Sequence, residues 1–200
     1  MVRVIFLIGK PACGKDTQAD LLVKNLKFKK ITTSEELDIF LKKYNKKYFH
    51  LGKIKINIDK QIKNKNKGKL VAYRLVSWLV NKLIIENIKK GNSIVFAGSP
   101  RSLFEAKNAL KILNKLNIKY QFIYLKTSDQ TIIKRMFKRA KIKKRVDDNL
   151  RIIKERLKIF KKEVIPMINY LKSKKVLKII NGEVSINQVY KRLVKYIIGN

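Results

Sequence analysis

The chain has 200 residues, enough for one domain with a substantial core and too few for a second full one. Hydrophobic residues make up 46%, which excludes wholesale disorder, while 49 Lys and Arg against 14 Asp and Glu leave a formal charge of +35. The sole cysteine, Cys13, excludes an internal disulfide framework and a multi-cysteine metal site.

In chain order, residues 2–8 form a short apolar run that suits a buried parallel strand. The run stops at Lys10, short of a signal-peptide core, and no segment approaches membrane-spanning length. The expectation is a soluble, cytoplasmic, monomeric protein with no membrane partner. Ala19, Leu22, Val23 and Leu26 then give residues 15–26 a helical spacing. Residues 32–69 are polar and lysine-rich with weak helical periodicity, and a helix follows near 70–90. Strands are expected at 93–98 and 120–126, each leading into a helix: one at 103–116, the other opened by Thr127, Ser128 and Asp129. Residues 139–146, "RAKIKKRV", read as a short basic bridge. Residues 147–173 read as one or two helices, with a kink or break at Pro166. A last strand at 176–181 ends at Gly182, before a terminal helix from about 185.

Alternating strands and helices predict an α/β fold with a parallel sheet covered on both faces. Segments 32–69 and 139–146 are read as inserts at the strand C-terminal edge, where open α/β sheets bind ligands. Trp78 among apolar neighbours is assigned to the core, and the lone His50 to packing or surface rather than catalysis. Diffuse positive charge identifies no specific partner, but it predicts non-specific nucleic-acid binding at low salt.

Gly9 to Lys15, "GKPACGK", satisfies the G-x-x-x-x-G-K pattern in a strand–loop–helix setting. Backbone N–H groups of such a loop and the helix N-terminus after it attract phosphate, and Lys15 reaches the β- and γ-phosphates. Asp16 stands where the pattern most often carries Ser or Thr.

The longer string "GKPACGKDTQ" resembles the "GxPGxGKGTQ" loop of adenylate kinases and the wider nucleoside monophosphate kinase family. There the hydroxyl comes one residue later, here Thr17. "GSPRSLFEA" (98–106) is similar to the family's "DGFPRTxxQA", and "RMFKRAKIKKRVDDNLRIIKERL" (135–157) resembles its short-lid segment. "ITTSEEL" and "KGKLV" match "ISTGDLL" and "xGxLV", so the resemblance spans nearly the whole chain.

The resemblance implies a P-loop three-layer α/β/α sandwich: a five-stranded parallel sheet, a helical monophosphate-binding insert at 32–69 and a short lid at 139–146, in a single domain over 1–200. It implies transfer of the ATP γ-phosphoryl group to a nucleoside monophosphate, with ATP and Mg2+. Gly9, Ala12, Cys13, Gly14, Lys15, Asp16 and Thr17 would hold the ATP phosphates, and Arg135 would stack on its adenine. Arg139, Arg145 and Arg156 would close around the transferring phosphoryl, with Asp147 and Asp148 orienting them. Arg101 would grip the monophosphate, in a site with Thr33, Gly98 and Glu105.

Several positions depart from the family pattern. Asp38 replaces an arginine of the monophosphate site, for which Lys42 or Lys43 could compensate. Ala97 replaces the acid that supports magnesium through water, a role Asp16 could take; no direct metal ligand is expected. Glu105 replaces the glutamine that reads adenine, and Ala12 a glycine. These losses leave two rivals: a weakened nucleotide- or nucleic-acid-binding relative, and a small-molecule kinase with another acceptor.

Overall fold

The computed structural model describes the backbone of residues 2–67, 69–143 and 150–199. The chain opens with β1 (Arg3–Ile8) and α1 (Lys15–Leu26), then β2 (Lys29–Thr32) and α2 (Thr33–Lys43). A hairpin of β3 (Tyr48–Leu51) and β4 (Ile54–Asn57) leads into α3 (Ile58–Asn66) and α4 (Tyr73–Lys89). Next come β5 (Ile94–Ala97), α5 (Leu103–Lys115), β6 (Lys119–Lys126) and α6 (Asp129–Lys143). The chain ends with α7 (Leu150–Ile159), a π-helical turn (Phe160–Val164), α8 (Ile165–Ser173), β7 (Leu177–Asn181) and α9 (Ile186–Ile198).

The main sheet has the expected five strands, ordered β2-β5-β1-β6-β7, and every neighbouring pair is parallel. β1 lies at the centre, and Val4 to Ile8 are buried because helices cover both faces. On one face Phe6 stacks between Phe96 at 5.0 Å and Phe122 at 4.6 Å, and side chains of α4, α5 and α8 close over them. On the other, Ile5, Leu7, Val95, Ile123 and Leu125 pack against α1, α6 and α9. Successive side chains of one strand supply both cores, because a strand points alternate residues to opposite faces. The result is the three-layer α/β/α sandwich. No helix among the described residues is long and apolar enough to cross a membrane.

The insert differs from the all-helical expectation by its β3–β4 hairpin. "YFHL" and "IKIN" alternate, and the register pairs Phe49 with Ile56, both buried, and His50 with Lys55, both exposed. Gly52, at φ 58°, makes the turn. Phe49 packs on Trp78 at 4.7 Å, and Phe40 lies 5.4 Å from the same ring, so a half-buried Trp78 ties the insert to α4.

The break expected at Pro166 takes the form of a widened turn. Pro166 has no N–H, and its ring displaces the carbonyl four residues back. The π-helical turn before it absorbs that conflict, with Ile165 N–H donating to Phe160 O. The segment set aside as a basic bridge begins as helix, since α6 continues to Lys143; 144–146 lie outside the described residues.

Candidate active site

The loop between β1 and α1 occupies the C-terminal edge of the sheet's central strand. Gly14, at φ 102°, turns the chain into α1, a conformation that favours glycine. Gly9 has no room for a side chain: a Cβ there would lie 2.4 Å from Cys13 Sγ. Ala12 sits at φ 60°, so the position where the family carries glycine is left-handed here too, at a cost of roughly 1–2 kcal/mol for alanine. Lys15 Nζ donates to Gly9 O at 2.9 Å and Lys10 O at 2.8 Å, and lies 3.5 Å from Cys13 Sγ. Its ammonium is thus folded over the loop it belongs to.

Lys10 anchors the loop's other side. Its ammonium donates to Thr127 O at 2.7 Å and pairs with Asp129 at 2.6 Å. The hydrogen bond from Lys10, and more weakly the charge of Lys161, hold the Asp129 carboxyl below its usual range despite some burial. Arg135, two turns into α6, reaches across to Gly182 O at 2.9 Å and Cys13 O at 3.4 Å. It therefore links the phosphate loop to the turn after β7.

Asp16 and Thr17 are exposed in the first turn of α1. The Asp16 carboxylate pairs with Lys30 of β2 at 3.5 Å, and Lys30 also bonds Asp20 at 2.9 Å. Burial works against the charge on Lys30, but the two carboxylates outweigh it and raise its pKa. Beside Lys30, the register places Thr32 against Ala97, the position of the missing acid.

After Ala97 the chain turns through Gly98 and a cis Ser99–Pro100 bond into Arg101. Arg101 Nε donates to Gly98 O at 2.6 Å. Glu105 organises the rest of this turn: Oε2 accepts the Arg101 N–H at 2.9 Å and Oε1 the Ser102 hydroxyl at 3.3 Å. Ser102 in turn accepts the Glu105 N–H at 3.2 Å and caps α5. "SLFE" is thus a capping signature that sequence reading passed over, although Ser followed three residues on by Glu announces one. Burial raises the Glu105 pKa, and the Arg101 N–H, the Arg101 charge and Ser102 offset that only in part. Arg101 and Glu105 thus sit together at the end of β5, with Asp16 and Arg156 near enough for their charges to bear on Arg101.

Two buried hydroxyls stand at the same strand ends. Thr33 and Ser99 are 4% and 2% exposed, and neither oxygen has a hydrogen-bond partner among the described residues. Such groups are costly to bury unless something else bonds them. Ser99 was not among the residues expected from sequence.

Lys65 of α3 pairs with Asp38 at 2.6 Å, and Lys42 and Lys43 are exposed at the end of α2. That pairing spans 27 positions, and only the fold of the insert creates it. Arg145, Asp147 and Asp148 lie outside the described residues, as does the side chain of Arg139 on α6. Among the described residues no group of three or more His, Cys, Asp or Glu could hold a metal directly.

A family model described as adenylate kinase matches residues 7–176. The adenylate kinase of Buchnera aphidicola subsp. Cinara cedri is 37% identical, over 98% of this chain and 95% of that protein. That of Prochlorococcus marinus strain MIT 9515 is 33% identical over 92% of each chain, and that of Oenococcus oeni 30% identical over 98% of each. With the phosphate loop, the sheet order and the Gly98–Glu105 turn in place, the chain belongs to the adenylate kinase family of ATP-dependent phosphotransferases.

Proposed function

We propose that the chain transfers the ATP γ-phosphoryl group to a nucleoside monophosphate, with the residues named above in the following roles. A phosphate oxygen of the monophosphate attacks the γ-phosphorus, the bond to the β–γ bridging oxygen breaks, and ADP and a nucleoside diphosphate leave. The observation that carries this reading is the phosphate loop, with Lys15 folded over it at the C-terminal end of the central strand, beside the Gly98–Glu105 turn at the end of the neighbouring β5. Little covalent work falls to the protein in such a transfer, so positioning and charge neutralisation supply the rate.

Lys15 would exchange its loop carbonyls for the ATP phosphates. Arg156, with Arg139 and Arg145, would gather around the transferring group, guanidinium forks matching phosphate oxygens. Arg101 is pre-aimed by its bond to Gly98 O and would hold the monophosphate. Residues 32–69 would form the monophosphate side and 139–146 the lid. Mg2+ would enter with ATP and neutralise its phosphate oxygens. Asp16 and Thr17 fit a water-mediated hold on that ion, since Ala97 offers no carboxylate.

The acceptor base is read from Glu105. Burial raises the pKa of this carboxyl, and its oxygens accept the Arg101 N–H and the Ser102 hydroxyl. In its ionised form it accepts hydrogen bonds only, which suits the N–H edge of guanine better than the bare N1 of adenine. The orphan hydroxyls of Thr33 and Ser99 can each donate as well as accept, so they place no veto on either base.

The experiment is a coupled assay with ATP and, in turn, AMP, GMP, CMP, UMP and dTMP, on the native chain and Arg101→Ala. One acceptor turned over well, with a loss of about 10²-fold or more in kcat/KM for Arg101→Ala, is expected. ATP binding without turnover of any monophosphate would instead favour the weakened relative or another acceptor.

A further inference from the structure

We propose that Glu183 is a positioning residue for ATP: it staples the turn after β7 to the N-terminus of α6, so that Gly182 O holds the Arg135 guanidinium in place. The inference rests on the reading of Arg135 as a wall of the adenine site.

Glu183 Oε1 gathers three donors at the start of α6: the Ser128 N–H at 3.0 Å, the Ser128 hydroxyl at 2.5 Å and the Thr131 hydroxyl at 2.9 Å. The Ser128 oxygen accepts the Thr131 N–H at 3.2 Å, so the helix start is capped from two directions. A carboxylate placed there also faces the positive end of the helix. The turn itself is fixed at two further points. Gly182 N–H donates to Lys126 O at 2.8 Å, and Glu183 N–H to Asn181 Oδ1 at 2.9 Å. A Cβ on Gly182 would lie 2.7 Å from Thr127 Oγ1, so the turn is pressed against the end of β6.

This staple has a direct consequence for the nucleotide side. Arg135 is the i+7 neighbour of Ser128 on α6, and its two terminal nitrogens bond Gly182 O and Cys13 O. Cys13 belongs to the phosphate loop, and Lys10 of the same loop bonds Thr127 O and Asp129. Phosphate loop, helix start and β7–α9 turn therefore meet at one arginine. Releasing Glu183 leaves Gly182 N–H on Lys126 O but uncouples the turn from the start of α6, the helix that carries Arg135, so the guanidinium is no longer held in register with Gly182 O. The Ser128 hydroxyl first, then the Ser128 N–H and the Thr131 hydroxyl, pull the Glu183 pKa down to about 2, so the staple is ionised near neutral pH.

The test is steady-state kinetics on the full chain, varying ATP and the best monophosphate separately, for Glu183→Ala, Glu183→Gln, Arg135→Ala and the double variant Glu183→Ala/Arg135→Ala. Glu183→Ala should raise the KM for ATP about tenfold and leave the monophosphate KM within about twofold. Glu183→Gln keeps a neutral acceptor oxygen and should show a smaller rise of about threefold. In the Arg135→Ala background, Glu183→Ala should add less than about twofold, because both act through one anchor. Equal rises in both KM values, or penalties that multiply in the double variant, would assign Glu183 a general structural role and overturn the proposal. If Arg135→Ala leaves the ATP KM unchanged, the adenine-site reading fails and this inference with it. A raised KM in Arg135→Ala beside an unchanged one in both Glu183 variants overturns the inference alone.

Discussion

Two demands meet in the carboxyl of Glu105, which is 6% exposed yet holds the Arg101 N–H and the Ser102 hydroxyl. Burial lifts its pKa above the ordinary 4.5. The folded state then keeps a proton that the unfolded state has already released. The contribution of this group to stability is therefore greatest below the unfolded value and is lost as pH rises through the folded one. Glu105→Gln removes that titration while keeping an acceptor for Arg101. In thermal melts from about pH 4 to pH 7 the stability difference should move in favour of Gln as pH rises. A difference that stays constant across this range would show an unperturbed carboxyl. The same variant can both donate and accept, so monophosphate competition assays should shift toward AMP, by roughly tenfold or more. At this scale legibility was uneven. Lys15 could be named from motif spacing, Arg101 and Arg135 only through the family resemblance, and Ser102 with Glu105 carried a readable cap. The Asp38–Lys65 pair and the Glu183 staple join residues 27 and 55 positions apart, and no local pattern encodes such a meeting.

Elements follow from local pattern where that pattern is strong. β1, α1, α5, β6 and α9 appear within a residue or two of where apolar spacing and capping residues place them. The hairpin of the insert was missed because its strands have four residues each, too few for alternation to stand out within the lysine-rich stretch 32–69. Its stability comes from an aromatic cluster instead. Phe49 meets Phe40 and Tyr44 edge-on, each at 5.3 Å, and Trp78 at 4.7 Å. Phe49→Ala should cost about 3 kcal/mol in urea denaturation followed by Trp78 fluorescence. On the proposal that the insert forms the monophosphate side, the KM for that substrate should rise several-fold while the ATP KM holds. An equal rise in both would show that the hairpin supports the whole site. The π-helical turn before Pro166 is a further case: proline marks the conflict in sequence, but widening or breaking are both available, and packing of Phe160 and Val164 into the core decides.

The whole molecule carries a formal +35, spread over the chain with exposed lysines on most elements. Binding to a single-stranded oligonucleotide, measured by fluorescence anisotropy, should be readily detected near 20 mM salt and fall about 10³-fold or more between about 50 and 200 mM. Affinity that survives the higher salt would mean a defined nucleic-acid site rather than a diffuse field. The chain by itself determined the α/β class, the phosphate loop and the family, because strand burial, helix spacing and a glycine–lysine turn are local and repeat along the sequence. It also determined which positions depart from the family. The tertiary structure decided what those departures mean: Glu105 caps its own turn, Asp16 pairs with Lys30, and Lys65 sits on Asp38. It decided as well that Glu183 reaches Ser128 and Thr131. The reason is physical: a buried or paired charge is defined by what lies within a few ångströms, and that distance is set by how the sheet brings strand ends together.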